Sequence, residues 1–142
     1  MNVENGFSRL GSALGKALLT GLLAVVSSSA VAEWVKIGGN ESATAYADRA
    51  TIEKAGNLVK MWDLLDFKVT QARPYGTPYR SQKTRQEYDC KEERARILDV
   101  LRYSENMGEG EEARADSDPD EWKPARPGST LAMLRAFACG NR

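Results

Sequence analysis

The sequence predicts an α+β domain, in which an antiparallel sheet of about five to six strands is followed by one C-terminal helix packed on a face of the sheet. Two observations predict it. Between residues 33 and 116, segments of alternating or β-favouring residues are separated by glycine- and proline-containing turns. The last apolar segment, at 130–140, instead repeats at helical spacing. Strands that come first and a helix that comes last indicate an α+β order.

Residues 1–32 have the order of a secretory signal peptide. Two basic residues precede a short apolar run at 17–26, and A-V-A at 30–32 is a cleavage pattern. The run is shorter than the roughly 20 apolar residues that span a bilayer. We therefore expect cleavage to leave a single domain at 33–142. Its first residue, Glu33, is not the cysteine that lipid attachment requires.

The net charge excludes two classes of partner. Without residues 1–32, the chain carries 18 basic and 19 acidic residues. A nearly neutral surface exerts no long-range attraction on nucleic acid or anionic lipid. We expect no nucleic-acid partner and no membrane-spanning segment after cleavage, while a homo-oligomer stays open.

Sulfur and imidazole chemistry is also limited. In an oxidising compartment, Cys90 and Cys139 are most simply one disulfide. The chain has no histidine, which excludes Ser/His/Asp and Cys/His catalytic sites, and two distant cysteines cannot form a zinc site. The acidic residues at 116–121 are interpreted as a solvated turn rather than a cation site. We expect no cofactor, no metal and no enzyme activity.

Turn signals divide the domain into its predicted strands. These lie at 33–38, 42–48, 58–69, 81–90, 94–106 and 112–116. Residues 49–57 are predicted to form a turn or a single helical turn, and the prolines at 71–80 indicate a loop. The apolar spacing at 94–106 also suits a helix, but its β-favouring residues and the glycine-rich stop favour a strand.

The 58–69 segment has the clearest alternation. Its predicted core-facing residues are Val59, Met61, Leu65, Phe67 and Val69. Asp63 interrupts this face. We expect Asp63 either to pair with Arg96 or Arg102, or to line a pocket to which Trp62 and Arg102 also contribute.

The C-terminal helix has recognisable ends. Ser129 is a suitable N-cap, and Gly140 is a suitable stop. One apolar stripe runs along the helix, formed by Leu131, Leu134, Phe137 and Ala138.

A small basic and aromatic cluster surrounds the proline-containing loop. Its members are Tyr75, Tyr79, Arg80, Lys83 and Arg85. Such a cluster could contact a sulfated glycan or an acidic partner. Alternatively, it is a solvated strand face that discourages edge pairing.

Several stretches, taken in order, resemble the surface-adhesin protein E family. They are Trp34, YAD at 46–48, TIEKAGNLVKMWDLLDF at 51–67, YRSQKTRQEYDC at 79–90, PG at 127–128 and Cys139. The resemblance implies a curved antiparallel sheet with a C-terminal helix tied across its concave face by a disulfide. The family is named for a bacterial outer-surface adhesin that binds host plasma and matrix proteins and is displayed through a lipid anchor. The missing lipidation cysteine departs from that pattern.

Two functions are compatible with these observations. The first is an exported, non-enzymatic, adhesin-like protein of the bacterial cell envelope that binds an envelope or extracellular protein or a glycan. It would be periplasmic or secreted, with surface display left open. The alternative is a soluble periplasmic module that binds or senses a small ligand between sheet and helix. Filling of that space by Leu131, Leu134 and Phe137 would argue against the alternative.

Overall fold

The structure is a computed structural model that describes residues 32–72, 74–115 and 119–140. The predicted signal peptide therefore lies outside the described residues, except for Ala32. So do residues 116–118 of the acidic segment. In the described ranges, no helix is long and apolar enough to cross a membrane.

The described residues form eight strands and one α-helix. The elements are β1 (Trp34–Gly39), β2 (Ala43–Asp48), β3 (Glu53–Ala55), β4 (Leu58–Gln71), β5 (Tyr79–Asp89), β6 (Arg94–Tyr103), β7 (Glu112–Arg114), β8 (Lys123–Pro124) and α1 (Thr130–Ala138). They make one antiparallel sheet in the order β1-β2-β4-β5-β6-β7, with β3 added to β4 and β8 added to β6. The predicted antiparallel sheet with a C-terminal helix is confirmed. The sheet has two strands more than the upper end of the prediction, because β3 and β8 are too short to produce an alternating pattern.

Strand register determines which side chains face the helix. Val59 lies opposite Tyr88, and Asp63 lies opposite Thr84, so these four side chains point to one side of the sheet. We call this side the helix face, because α1 packs on it, and the other side the opposite face. A buried cluster on the helix face joins sheet and helix, and it consists of Ala47, Val59, Met61, Tyr88, Ala95, Leu134 and Ala138.

The helix stripe predicted from the sequence is confirmed. Leu134 and Ala138 are almost fully buried, and Leu131 and Phe137 pack against the same cluster. The hydroxyl oxygen of Ser129 accepts a hydrogen bond from the Ala132 N–H at 3.1 Å, which caps the first turn as expected.

Two positions of β4 differ from the predicted alternation. Val69 is 65% exposed, so its assignment to the core face is wrong. The pairing of β4 with β5 is interrupted between Asp66 and Gln71, and Val69 falls in this interruption. Leu64, which is fully buried, lies on the opposite face. A 3₁₀ turn at Asn106–Gly108 covers this part of the opposite face and bonds to Asp66, two residues further along the strand.

The C-terminal end of the helix is anchored to the turn between β5 and β6. Cys139 forms a disulfide with Cys90, and the two Cα atoms are 5.8 Å apart. The buried guanidinium of Arg135 donates to the carbonyl of Cys90 and to Glu93 Oε1, both at 3.2 Å. The predicted pairing of the cysteines is confirmed, whereas the role of Arg135 was not anticipated.

Acidic and basic side chains cover the opposite face near the turn between β5 and β6. Glu87 is buried and accepts from Arg96, whose Nη2 lies 2.7 Å from Glu87 Oε1. Arg94 pairs with Asp89 at 3.2 Å. The ring of Trp122 lies 4.7 Å from both guanidiniums, so it makes a cation–π contact with each arginine.

Loss of the disulfide is expected to loosen the helix before the sheet. A nine-residue helix is marginal by itself, and closure of a loop of about 50 residues stabilises a fold by roughly 4 kcal/mol in the chain-entropy model. The Cys90→Ala/Cys139→Ala variant should have a lower free energy of unfolding by up to this amount. In hydrogen exchange, its helix amides should lose protection first.

The control for the disulfide is chemical reduction. A thiol reductant should reproduce the loss in the wild-type protein and have no effect on the double variant. Free thiols at Cys90 and Cys139 in the protein isolated from cells would contradict the assignment.

Candidate functional site

One end of the sheet holds a cleft, which we call the loop cleft. It is lined by residues 75–79, 102–104 and 111–114 and has a volume of about 290 Å³. Tyr75 is 94% exposed, while Tyr79 is buried. The loop cleft therefore presents one aromatic ring to solvent and uses another as part of its wall.

Both signs of charge line the loop cleft. The guanidinium of Arg102 lies over the ring of Tyr79, 5.0 Å from its centroid. The Tyr103 hydroxyl donates to Glu112 Oε2 at 2.7 Å. Burial, and then this bond to a carboxylate, raises the pKa of Tyr103, so the phenol stays neutral and acts as the donor. Arg114 pairs with Asp99 at 2.6 Å.

The β6–β7 connection beside the loop cleft is held by two polar residues of the sheet. Asp66 Oδ1 accepts from the Asn106 side chain at 2.9 Å and from the next backbone N–H at 2.8 Å. The Ser81 hydroxyl accepts from the Gly108 N–H at 2.8 Å and donates to the Glu105 carbonyl at 2.6 Å. These bonds hold the start of the β6–β7 connection, which leads to Glu111 and Glu112 of the cleft lining, against the sheet.

The structure separates the five residues of the predicted basic and aromatic cluster. Tyr75 and Tyr79 line the loop cleft. Arg80 is the second residue of β5 and has the strand parity of Gln82 and Thr84 on the helix face. Its Nε is buried with no hydrogen-bond partner among the described residues. Lys83 and Arg85 lie on the opposite face, because Lys83 is paired with Leu64. These residues are neighbours in the sequence, but adjacent residues of a strand point to opposite faces of the sheet, so the predicted cluster does not form one surface.

Lys83 and Arg85 have structural partners on the opposite face. The Lys83 ammonium lies 4.6 Å from the ring centroid of Tyr103 and 5.8 Å from that of Trp34. A Cβ at Gly108 would lie 2.4 Å from Lys83 Cε, so a larger residue there would displace the end of this flexible side chain. Arg85 is paired with Glu53 at 3.5 Å.

A second pocket lies on the helix face, beside the N-terminal end of α1. We call it the helix-end pocket. Its volume is about 240 Å³, and its lining consists of Asp63, Leu65, Gln82, Thr84, Gln86, Ile97, Thr130, Leu131 and Leu134. Leu134 and Ala138 fill the space beneath the helix itself. Helix packing therefore leaves a smaller pocket at the helix end rather than none.

Asp63 is the most unusual group in the helix-end pocket. It is 1% exposed, and its Oδ2 accepts from Gln86 Nε2 at 2.6 Å and from the Tyr88 hydroxyl at 3.1 Å. Burial raises the pKa of Asp63 from about 3.8 to about 7, and the two hydrogen bonds only partly oppose this. Burial, with the nearby Asp63 charge, also raises the pKa of Tyr88.

The arginines expected beside Asp63 are elsewhere. Arg96 is on the opposite face with Glu87, and Arg102 Nε donates to Gln82 at 3.2 Å. The expectation that either arginine pairs with Asp63 is therefore wrong. Trp62 points to the opposite face, because neighbouring residues of a strand alternate. Of the predicted pocket residues, only Asp63 lines the helix-end pocket.

Sequence reasoning did not identify several residues of the two sites. Gln82, Thr84 and Gln86 share the strand parity of Tyr88, and this parity was the available signal for the helix-end pocket. Glu112 and Arg114 reach the loop cleft through the pairing of β6 with β7, which no short motif indicates. In the described ranges, no three acidic or cysteine side chains are grouped as metal ligands.

The comparisons identify the family of the chain. A family model described as surface-adhesin protein E matches residues 34–140. The chain belongs to the surface-adhesin protein E family. The resemblance seen in the sequence is therefore confirmed. No curated protein is significantly similar to the chain.

Solved structures of protein E from Haemophilus influenzae have the same fold. Crystal form II superposes with a TM-score of 0.62 at 17% identity, covering 76% of this chain and 87% of that one. Another Haemophilus influenzae protein E structure gives 0.60 at 16% identity, covering 76% and 84%. A structure from the non-typeable organism gives 0.57 at 16% identity, covering 76% of each chain.

The raised pKa of Asp63 predicts an unusual dependence of stability on pH. Between about pH 4 and pH 7 the folded state retains a proton that the unfolded chain has released, so stability falls as pH rises. Relative to wild type, Asp63→Asn should gain about 3 kcal/mol in free energy of unfolding between pH 5 and pH 8, at about 1.4 kcal/mol per unit up to pH 7. Denaturant unfolding at several pH values measures this difference.

The matched control is Glu41→Gln, which removes an exposed carboxylate. Its difference from wild type should not vary over the same range. Parallel pH profiles for wild type and Asp63→Asn would contradict the assignment of a buried, protonated carboxyl.

Proposed function

We propose that this family member is an exported, non-enzymatic protein of the bacterial cell envelope that binds another protein through the loop cleft. The observation that carries the proposal is Tyr75. Its side chain is 94% exposed at a cleft of about 290 Å³. Tyrosine and arginine dominate the energetic centres of protein interfaces, because they bury a large area and still form polar contacts.

The charges of the loop cleft favour a protein partner over a sulfated glycan. A sulfated chain needs cations without nearby anions. Here Arg114 is already paired with Asp99, and Glu111 and Glu112 line the same cleft. Mixed charge with aromatic rings matches a protein surface, which carries both signs and apolar groups.

The proposed location rests on the N-terminal sequence and the family. We propose that residues 1–32 are removed as a signal peptide and that 33–142 is the mature domain. The disulfide fits an oxidising compartment. Since Glu33 follows the cleavage pattern, a free periplasmic or secreted protein is proposed rather than a lipid-anchored one.

Export is tested by cell fractionation and mass spectrometry of the mature N-terminus. The expected product begins at Glu33 and is found in the periplasm or the medium. A cytoplasmic protein that still carries residues 1–32 would contradict export. Confinement to the soluble periplasm would exclude adhesion but not the binding of a periplasmic protein.

Binding is tested with the purified 33–142 domain against immobilised plasma and matrix proteins, heparin and the domain itself. For a protein that binds, Tyr75→Ala should weaken the affinity by tenfold or more, as expected for an anchor residue. Lys91→Ala is the control, since Lys91 is exposed in the turn at the other end of β5. Binding to heparin alone, or equal binding by Tyr75→Ala, would contradict the proposed surface.

A further inference from the structure

The helix-end pocket contains a buried carboxyl without a positive partner. Both hydrogen bonds that Asp63 accepts end on Oδ2. Among the described residues no donor bonds to Oδ1, and Oδ1 is not one of the fully buried atoms that lack a partner, so it reaches the pocket space. Both donors to Oδ2 are neutral groups, and an acidic group in such a setting is strongly disfavoured as an anion unless a cation is supplied. A cation beside Asp63 Oδ1 would therefore have to come from a ligand in the helix-end pocket.

The walls of the helix-end pocket are suited to an apolar body. Leu65, Ile97, Leu131 and Leu134 line it. The polar groups are organised by the sheet, since Arg102 donates to Gln82 and Gln82 Nε2 donates to Thr84 Oγ1 at 3.3 Å. The lining thus combines four aliphatic side chains with the polar side chains of Gln82, Thr84 and Gln86 beside Asp63.

An anion is a poor occupant of the helix-end pocket. The first turn of α1 is already capped, because the Ser129 hydroxyl oxygen accepts the hydrogen bond of the Ala132 N–H that an anion would otherwise accept. The nearest acidic group, Asp63, would repel a second negative charge, and Arg102 is engaged with Gln82 and Tyr79. A protonated amine is the group that both donates to Oδ1 and supplies the missing positive charge.

We propose that the helix-end pocket binds a small organic amine, with its ammonium group on Asp63 Oδ1 and its apolar body against Leu65, Ile97 and Leu131. The volume of about 240 Å³ is below the roughly 300–1,000 Å³ typical of drug-sized ligands, so the occupant is a short aliphatic or single-ring amine. This site is separate from the loop cleft, and its occupancy does not depend on the proposed binding of a protein.

The test uses three probes of equal chain length: n-hexylammonium, n-hexanol and hexanoate. Titrations of the 33–142 domain are followed by amide chemical shifts in NMR at pH 8. Hexylammonium should give saturable shifts centred on Asp63, Thr84 and Leu131, with an affinity at least tenfold higher than that of hexanol. Hexanoate should not bind. Equal affinity for hexylammonium and hexanol, or no saturable binding of hexylammonium, would overturn the proposal.

Three variants distinguish the contribution of the Asp63 charge to the affinity from that of the apolar pocket walls. Asp63→Asn keeps the side-chain shape and should abolish the preference for the amine over the alcohol. Leu131→Phe should fill the pocket and weaken both probes while Asp63 is retained. Glu53→Gln removes an exposed carboxylate that lies outside the pocket and should change neither affinity. Retention of the amine preference by Asp63→Asn would contradict the proposal, and so would unchanged binding by Leu131→Phe.

The pH dependence gives a readout that does not need a variant. Tyr88 is the titratable side chain bonded to Asp63, while β2 contributes Ala47 opposite it and α1 contributes Leu131 and Leu134 to the pocket. Because the ammonium binds the ionised carboxylate, its affinity should fall at least fivefold between pH 8 and pH 5.5, while that of hexanol stays constant. An amine affinity that is independent of pH would overturn the proposed contact.

Discussion

The turn between β5 and β6, at residues 90–93, is the point on which the remaining structure depends. Cys90 holds the end of the helix through the disulfide, and its carbonyl accepts from Arg135. The Cys90 N–H donates to the carbonyl of Asn57, which joins the turn to the start of β4. The carbonyl of Glu93 accepts from Ala125, which leads from β8 towards the helix. Three separate segments thus meet at four residues.

This arrangement divides the sheet into parts with different chemistry. Where α1 lies on the helix face, apolar side chains form the core. On the opposite face, buried Glu87 and Asp89 are paired with arginines, whose guanidiniums contact the ring of Trp122. The loop cleft lies at the other end of β5 from the turn, where Asp66 and Ser81 fix the β6–β7 connection. Core, ionic face and loop cleft are therefore stabilised by different interactions, and changes in one need not disturb the others.

The fold could be predicted from the sequence further than the sites could. Alternation and capping are local, so the six principal strands, the Ser129 cap and the helix stripe were recognisable. Partnerships across the sheet are not local. The partners of Asp63 depend on a register in which Tyr88 and Gln86 lie on its face, and Arg135 depends on where the helix ends. Strand parity also misleads where pairing stops, as at Val69, or where a distant turn covers the other face, as at Leu64.

The short helix explains both the disulfide and the helix-end pocket. A helix of nine residues is about 14 Å long, whereas a strand of fourteen residues extends for about 46 Å. Such a helix cannot cover the whole helix face, and a helix of this length is marginal by itself. At the C-terminal end of the helix, the disulfide of Cys139 with Cys90 adds a covalent attachment to the sheet. At the other end the sheet is left uncovered beside Leu131, and there Asp63 is buried without a cation. The short helix thus accounts for both features. The Cys90–Cys139 disulfide holds its C-terminal end, and beyond its N-terminal end lies the helix-end pocket, where we place the ammonium group of a ligand on Asp63.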